Sequence, residues 1–147
     1  MRRFLVTCAA LVMGVTSTGM AAEHEVQMLT KGPEGQRNWF EPAIVNAASG
    51  DTVNFVATDK THNSTSLVVP EGAEAWKGQM NKDVSVTVAK PGVYAYKCTP
   101  HLALGMLGFI VVDGVIDNIE AVEAAPYRGP KAKENSAALI AEIKASN

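Results

Sequence analysis

Cysteine is nearly absent from this chain of 147 residues, which holds only Cys8 and Cys98. The disulfide framework that staples many small secreted domains is thereby excluded. Positive charge is not in excess either: 13 Lys and Arg stand against 15 Asp and Glu, a net charge of −2 with histidine neutral. No general attraction to nucleic acid follows from that balance. Internal repeats and low-complexity stretches are missing too. The apolar run FLVTCAALVMGV, Phe4 to Val15, is too short to anchor the chain across a bilayer. With 47% hydrophobic residues the chain suffices for one core, and hardly for two.

What is present begins with an export leader. Arg2 and Arg3, the apolar run and the small-residue segment TSTGMAA precede the abruptly charged EHE, the three-part layout of a secretory signal peptide. The reading is a leader over 1–22, cut after Ala22 or one residue earlier, and a single domain over 23–147. Removing Arg2 and Arg3 leaves 11 basic against 15 acidic side chains, a net charge of about −4. Cys8 leaves with the leader. The exported chain then carries one thiol in an oxidising compartment, where an exposed Cys98 would oxidise or cross-link. Something must protect it.

From Glu23 to about residue 112 the pattern is strand-like. VSVTV (Val84 to Val88) and VNFVAT (Val53 to Thr58) alternate apolar and polar side chains, as half-buried strands do. Turn signals KGPEG, SGD, PEG, KPG and DG separate such runs, so the expected fold is mainly β, a two-sheet antiparallel sandwich or a barrel. Beyond Gly114 the composition turns to Ala, Glu and Lys, and two helices are predicted within about 117–147. Leu139, Ile140 and Ile143 would line one face of the second and pack on the sandwich. His24, close to the mature terminus, reads as a solvent-exposed residue.

The stretch KCTPHLALGM gathers a thiol, an imidazole and a thioether between two strands. Alternation in VYAYKC places Tyr94, Tyr96 and Cys98 inward, His101 and Met106 follow in the loop, and LGFIVV resumes a strand. His62, after the strand VNFVAT, is the candidate second imidazole. A thiolate and imidazoles bind copper strongly, and hard cations refuse a thioether. Two histidines and a cysteine with a weak methionine describe an electron-transfer copper site. Two rivals stay open. Cys98 and His101 could form a nucleophile–base pair of a thiol enzyme, or the chain could be a structural zinc or metal-storage protein.

CTPHLALGM and the upstream His62–Asn63 pair resemble the cupredoxins, and among them the pseudoazurins. The likeness extends through EVQMLTKGPEG, FEPAIVNAASGDTVNFVATDKTHN, GAEAW, KPGVYAYKCTPH and the C-terminal helices. It implies a Greek-key sandwich with two C-terminal helices and one copper ion cycling between Cu(I) and Cu(II), bound by His62, Cys98, His101 and Met106. It implies that Asn63 donates its backbone amide to the thiolate and ties two loops with its side chain. No catalytic residue is implied: the protein would be a periplasmic, monomeric one-electron carrier with no membrane anchor after cleavage. Its transient partners would be redox proteins, copper nitrite reductase or c-type cytochromes among them. Docking would use an apolar patch around His101 rimmed by Lys31, Lys60, Lys77 and Lys97, with Lys131 or Lys133 adding to it. Gln27 in place of a histidine, a shortened STSLVVPEG segment, and Leu102 and Leu104 in the ligand loop depart from the family pattern and bear on the partner surface.

Overall fold

The computed structural model describes residues 19–147. Cys8 and most of the expected leader lie outside the described residues. Eight strands form two four-stranded sheets. The first contains β1 (Glu23–Lys31), β2 (Arg37–Glu41), β4 (Asp51–Val56) and β6 (Val84–Val88), in the order β2-β1-β4-β6. The second contains β3 (Ile44–Ala47), β5 (Thr65–Val68), β7 (Gly92–Lys97) and β8 (Leu107–Val112), in the order β3-β8-β7-β5. Between β2 and β7 the chain changes sheet at every connection, so only β1–β2 and β7–β8 join as antiparallel hairpins.

That routing corrects one expectation. The sheets are mixed, because β1 pairs β4 and β3 pairs β8 in parallel. Which strands come to lie side by side, and in which direction, depends on how the chain is routed between the two sheets, a topology that turn signals do not encode. Side-chain alternation within the strands holds as read: Val53 and Phe55 of β4, and Val86 and Val88 of β6, face the interior, while Ser85 and Thr87 are exposed. Phe40, Phe55 and Tyr96 pack edge to face there, with ring centroids 4.8 to 6.2 Å apart. The Tyr96 hydroxyl lies buried without a hydrogen-bond partner. It crosses directly over Gly108, where an added Cβ would meet the phenol oxygen at 2.4 Å.

A second core covers the outer face of β7 and β8. Helices α1 (Ile119–Glu123) and α2 (Pro130–Ser146) bring Val122, Ala132, Ile140 and Ile143 onto Val93, Ala95, Phe109 and Val111. Both faces of these two strands are therefore apolar, which is why GVYAYK and LGFIVV carry hydrophobic residues without a polar alternate. Burying one such side chain stabilises by about 1.5–3 kcal/mol, so the helices hold the central hairpin of the second sheet firmly from outside. The loop joining that hairpin is residues 98–106.

Candidate metal centre

The hairpin loop begins at Cys98 and ends at Met106, and its own backbone closes it. The Cys98 N–H donates to the Met106 carbonyl at 3.0 Å, and the Met106 N–H donates to the His101 carbonyl at 3.2 Å. Gly105 turns the chain with φ of 92° at the end of a short helical turn, Leu102–Leu104. The second loop, after β4, carries His62 to the same end of the sandwich.

Three donor atoms converge there. His62 Nδ1 and His101 Nδ1 are 3.1 Å apart, and Cys98 Sγ lies 3.8 Å from the first and 3.5 Å from the second. The centre of such a triangle lies about 2.0 Å from each corner, close to the length of a metal–imidazole bond and slightly short of a metal–thiolate bond. Met106 is fully buried in the same core as Cys98. His62 and Cys98 are fully buried as well, whereas His101 reaches solvent.

The electrostatics agree with a site for a soft cation. Burial, then the neighbouring His101, holds His62 below the usual imidazole range, with Asp59 acting weakly the other way. Burial also pushes the Cys98 thiol up, opposed by the backbone N–H groups of Asn63 and His101. Burial thus favours a neutral His62 imidazole with a free lone pair and a Cys98 thiol whose proton a cation would displace. Among the described residues no carboxylate joins the cluster, so a hard cation would find no oxygen ligand. These donors fit copper.

Supporting residues fix the donors. The Asn63 side chain accepts from the Thr99 N–H at 2.8 Å and donates to the Thr99 hydroxyl and the Gly78 carbonyl, both at 3.1 Å, which ties its own loop to the hairpin loop. Thr30 was not legible in advance. Its hydroxyl lies 3.2 Å from His62 Nε2, and its N–H donates to Asp59 at 2.7 Å. With Nδ1 turned to the centre, Nε2–H donates to Thr30, the kind of contact that sets the tautomer of a metal-binding histidine. Asn135 of α2 was missed too: its side chain donates to the Gly105 carbonyl at 2.9 Å. A threonine ending a strand and an asparagine in a helix carry no sequence signal of such a role.

The lysines expected at the docking rim lie close in sequence to the donors or to the residues that support them. Lys31 follows Thr30, Lys60 precedes His62 by two, Lys77 precedes Gly78, and Lys97 precedes Cys98. The first three are exposed, and Lys97 is half-buried beside Thr99, Pro100 and Arg128 around a hollow of about 370 Å³. Lys131 pairs with Glu134 at 3.0 Å on its own helix, which reduces what it adds to the rim. Among the described residues after Met20, the large apolar side chains left exposed are Leu104, in the hairpin loop, and Met80, beside Asn81, whose N–H donates to the His62 carbonyl.

One expectation fails at the other end of the sandwich. His24 is not free in solvent: its Nε2 sits 2.8 Å from Asp51 Oδ2, with its side chain 27% exposed. The parallel pairing of β1 with β4, unseen in sequence, sets the two side by side.

Comparison with known proteins adds an independent finding. Residues 26–113 match the family model of copper binding proteins, plastocyanin/azurin family. The pseudoazurin of Paracoccus pantotrophus is 41% identical over 95% of this chain and 96% of its own. A putative pseudoazurin of Rhizobium leguminosarum bv. viciae is 41% identical over 82% of this chain and 80% of its own. Among solved structures, a Sinorhizobium pseudoazurin superposes with a TM-score of 0.81 and 48% identity, covering 86% of this chain and 99% of that one. The pseudoazurin of Methylobacterium extorquens AM1 gives 0.76 and 35% identity, over 82% and 98% of the two chains.

Proposed function

The chain belongs to the plastocyanin/azurin family of copper-binding proteins and, within it, to the pseudoazurins, and on that premise we propose that it is a periplasmic one-electron carrier holding one copper ion through His62, Cys98, His101 and Met106. The observation that carries the ligand assignment is the convergence of two Nδ1 atoms and one Sγ within 3.8 Å of one another, walled by a buried methionine. Bound copper supplies a one-electron Cu(II)/Cu(I) couple.

The residues do the rest. Thr30 orients His62, Asn63 and Thr99 lock the two loops, and Asn135 with the second core holds the hairpin loop from outside. The donors are thus assembled by the fold itself, so little rearrangement accompanies a change of oxidation state. His101 is the donor that reaches solvent, and contact with a partner falls there, over Leu104 and Met80. Lys31, Lys60, Lys77 and Lys97 surround that contact and favour acidic redox partners by raising the encounter rate. A copper nitrite reductase or a c-type cytochrome is the kind of redox partner this surface is read to serve. Monomeric carriers of this kind bind briefly and leave.

The thiol-enzyme reading loses ground on geometry. Burial holds Cys98 as a thiol and closes it from solvent, the reverse of an activated nucleophile. Adding one equivalent of Cu(II) to the purified protein and recording its visible spectrum tests the proposal. An intense thiolate-to-copper band with a reversible one-electron wave is the expected result, and a colourless product overturns it.

A further inference from the structure

At the end of the sandwich away from the metal centre, Asp51 is 5% exposed, and its carboxylate accepts three hydrogen bonds. Oδ1 accepts the Ala22 N–H at 2.7 Å, and Oδ2 accepts the Ala48 N–H at 2.9 Å and His24 Nε2 at 2.8 Å. These contacts hold its pKa down at about 2, the His24 bond contributing most. Ala22 is bound on both sides, because its carbonyl also accepts the Thr52 N–H at 2.9 Å. Gly19, Met20 and Ala21, by contrast, are exposed and outside regular structure. Among the described residues, Ala22 is the first that these bonds tie to the fold.

We propose that export processing cuts between Ala21 and Ala22 and that the ammonium group so released becomes a charged partner of Asp51. The cleavage is a hydrolysis: one water adds across the Ala21–Ala22 peptide, the carboxylate leaves with Ala21, and the amine stays on Ala22 and takes a proton. The sequence agrees independently. A cut here places Gly19 and Ala21 at the small-residue positions that a signal peptidase requires, whereas a cut after Ala22 would place the bulky Met20 there. A cut after Ala22 would also strip Asp51 Oδ1 and the Thr52 N–H of partners that the folded chain provides. Processing at Ala22 exchanges a neutral N–H donor for a cationic one at a carboxylate already aimed at it, and charge-assisted bonds are roughly twice as strong.

The full chain, exported in a bacterial host and recovered from the periplasm, gives the test by intact mass and N-terminal sequencing. A product spanning residues 22–147 is expected, and one beginning at Glu23 overturns the whole proposal. The ion pair is read separately by an amine-selective acylating reagent near pH 8. Paired with Asp51, the terminal amine of the folded protein should react about tenfold more slowly than in the urea-unfolded protein, because an opposite charge raises its pKa. Asp51→Asn should remove most of that protection, while Asn54→Ala, at a half-buried site on the same strand whose side chain does not touch Asp51, should keep it. Equal rates for folded and unfolded native protein overturn the ion pair, even where the variant fails to fold.

Discussion

The two ends of the sandwich each bury polar groups, and they resolve the cost in opposite ways. At the end near β4's start, both oxygens of the Asp51 carboxylate are bonded, by Ala22, Ala48 and His24. At the other end, some six residues along the same strand and roughly 20 Å away, His62, Cys98 and His101 face chiefly one another. A buried anion with all its donors in place is finished and structural. Buried donors whose lone pairs meet around one point are finished only by a cation, and the fold uses Thr30, Asn63 and Asn135 to hold them there. Buried polarity alone therefore does not mark a functional site; buried polarity that its own chain leaves incomplete does.

The contrast is broken most completely by Cys98→Ser. Loss of the thiolate should abolish the intense visible band of the copper-loaded protein, while circular dichroism of the metal-free variant stays native, because the sandwich core does not depend on the metal. A variant that kept the band would remove Cys98 from the centre. At the far end, acid is the corresponding perturbation. Asp51 has its pKa lowered from 3.8 to about 2, so its contribution is complete above about pH 4 and is lost as the pH falls toward 2. The other titratable side chains at that end are His24, bonded to Asp51, and Asp113, itself held below the usual carboxylate range by Ser49. Urea midpoints of the metal-free protein should fall between pH 4 and 2, and fall less in Asp51→Asn. Parallel slopes in the two proteins would show that Asp51 takes no part.

Smaller changes sharpen the comparison rather than break it. Met106→Gln should keep the colour and lower the reduction potential, since a harder oxygen favours Cu(II) over Cu(I); voltammetry that finds the potential unchanged or raised would assign Met106 to packing alone. The smallest effect belongs to the surface. Lys97→Glu should leave the spectrum intact and slow electron transfer to an acidic redox partner, with a weaker dependence on ionic strength than the native rate shows. Salt screens exposed charges over about 8–10 Å at ordinary buffer strength. A native rate that stays flat or rises with salt would eliminate the lysine rim.

Much of this was legible in the sequence because it depends on spacing within one element. The strand VYAYKC, the interval from Cys98 to Met106 and the apolar periodicity of α2 are local patterns, and local sterics and period turn them directly into a strand-end thiol, a ligand loop and a packed helix face. Even His62 could be nominated from its place after a strand. What tertiary structure decided lies between elements: the parallel pairing of β1 with β4, the pairing of His24 with Asp51, the contact of Thr30 with His62 across 32 positions, and the reach of Asn135 to Gly105 across 30. Threonine, asparagine and a lone aspartate are common on any surface, and only the path of the chain between the sheets makes them partners. Periodicity reports which way a side chain points, but not what comes to meet it, because that depends on the routing of chain distant in sequence.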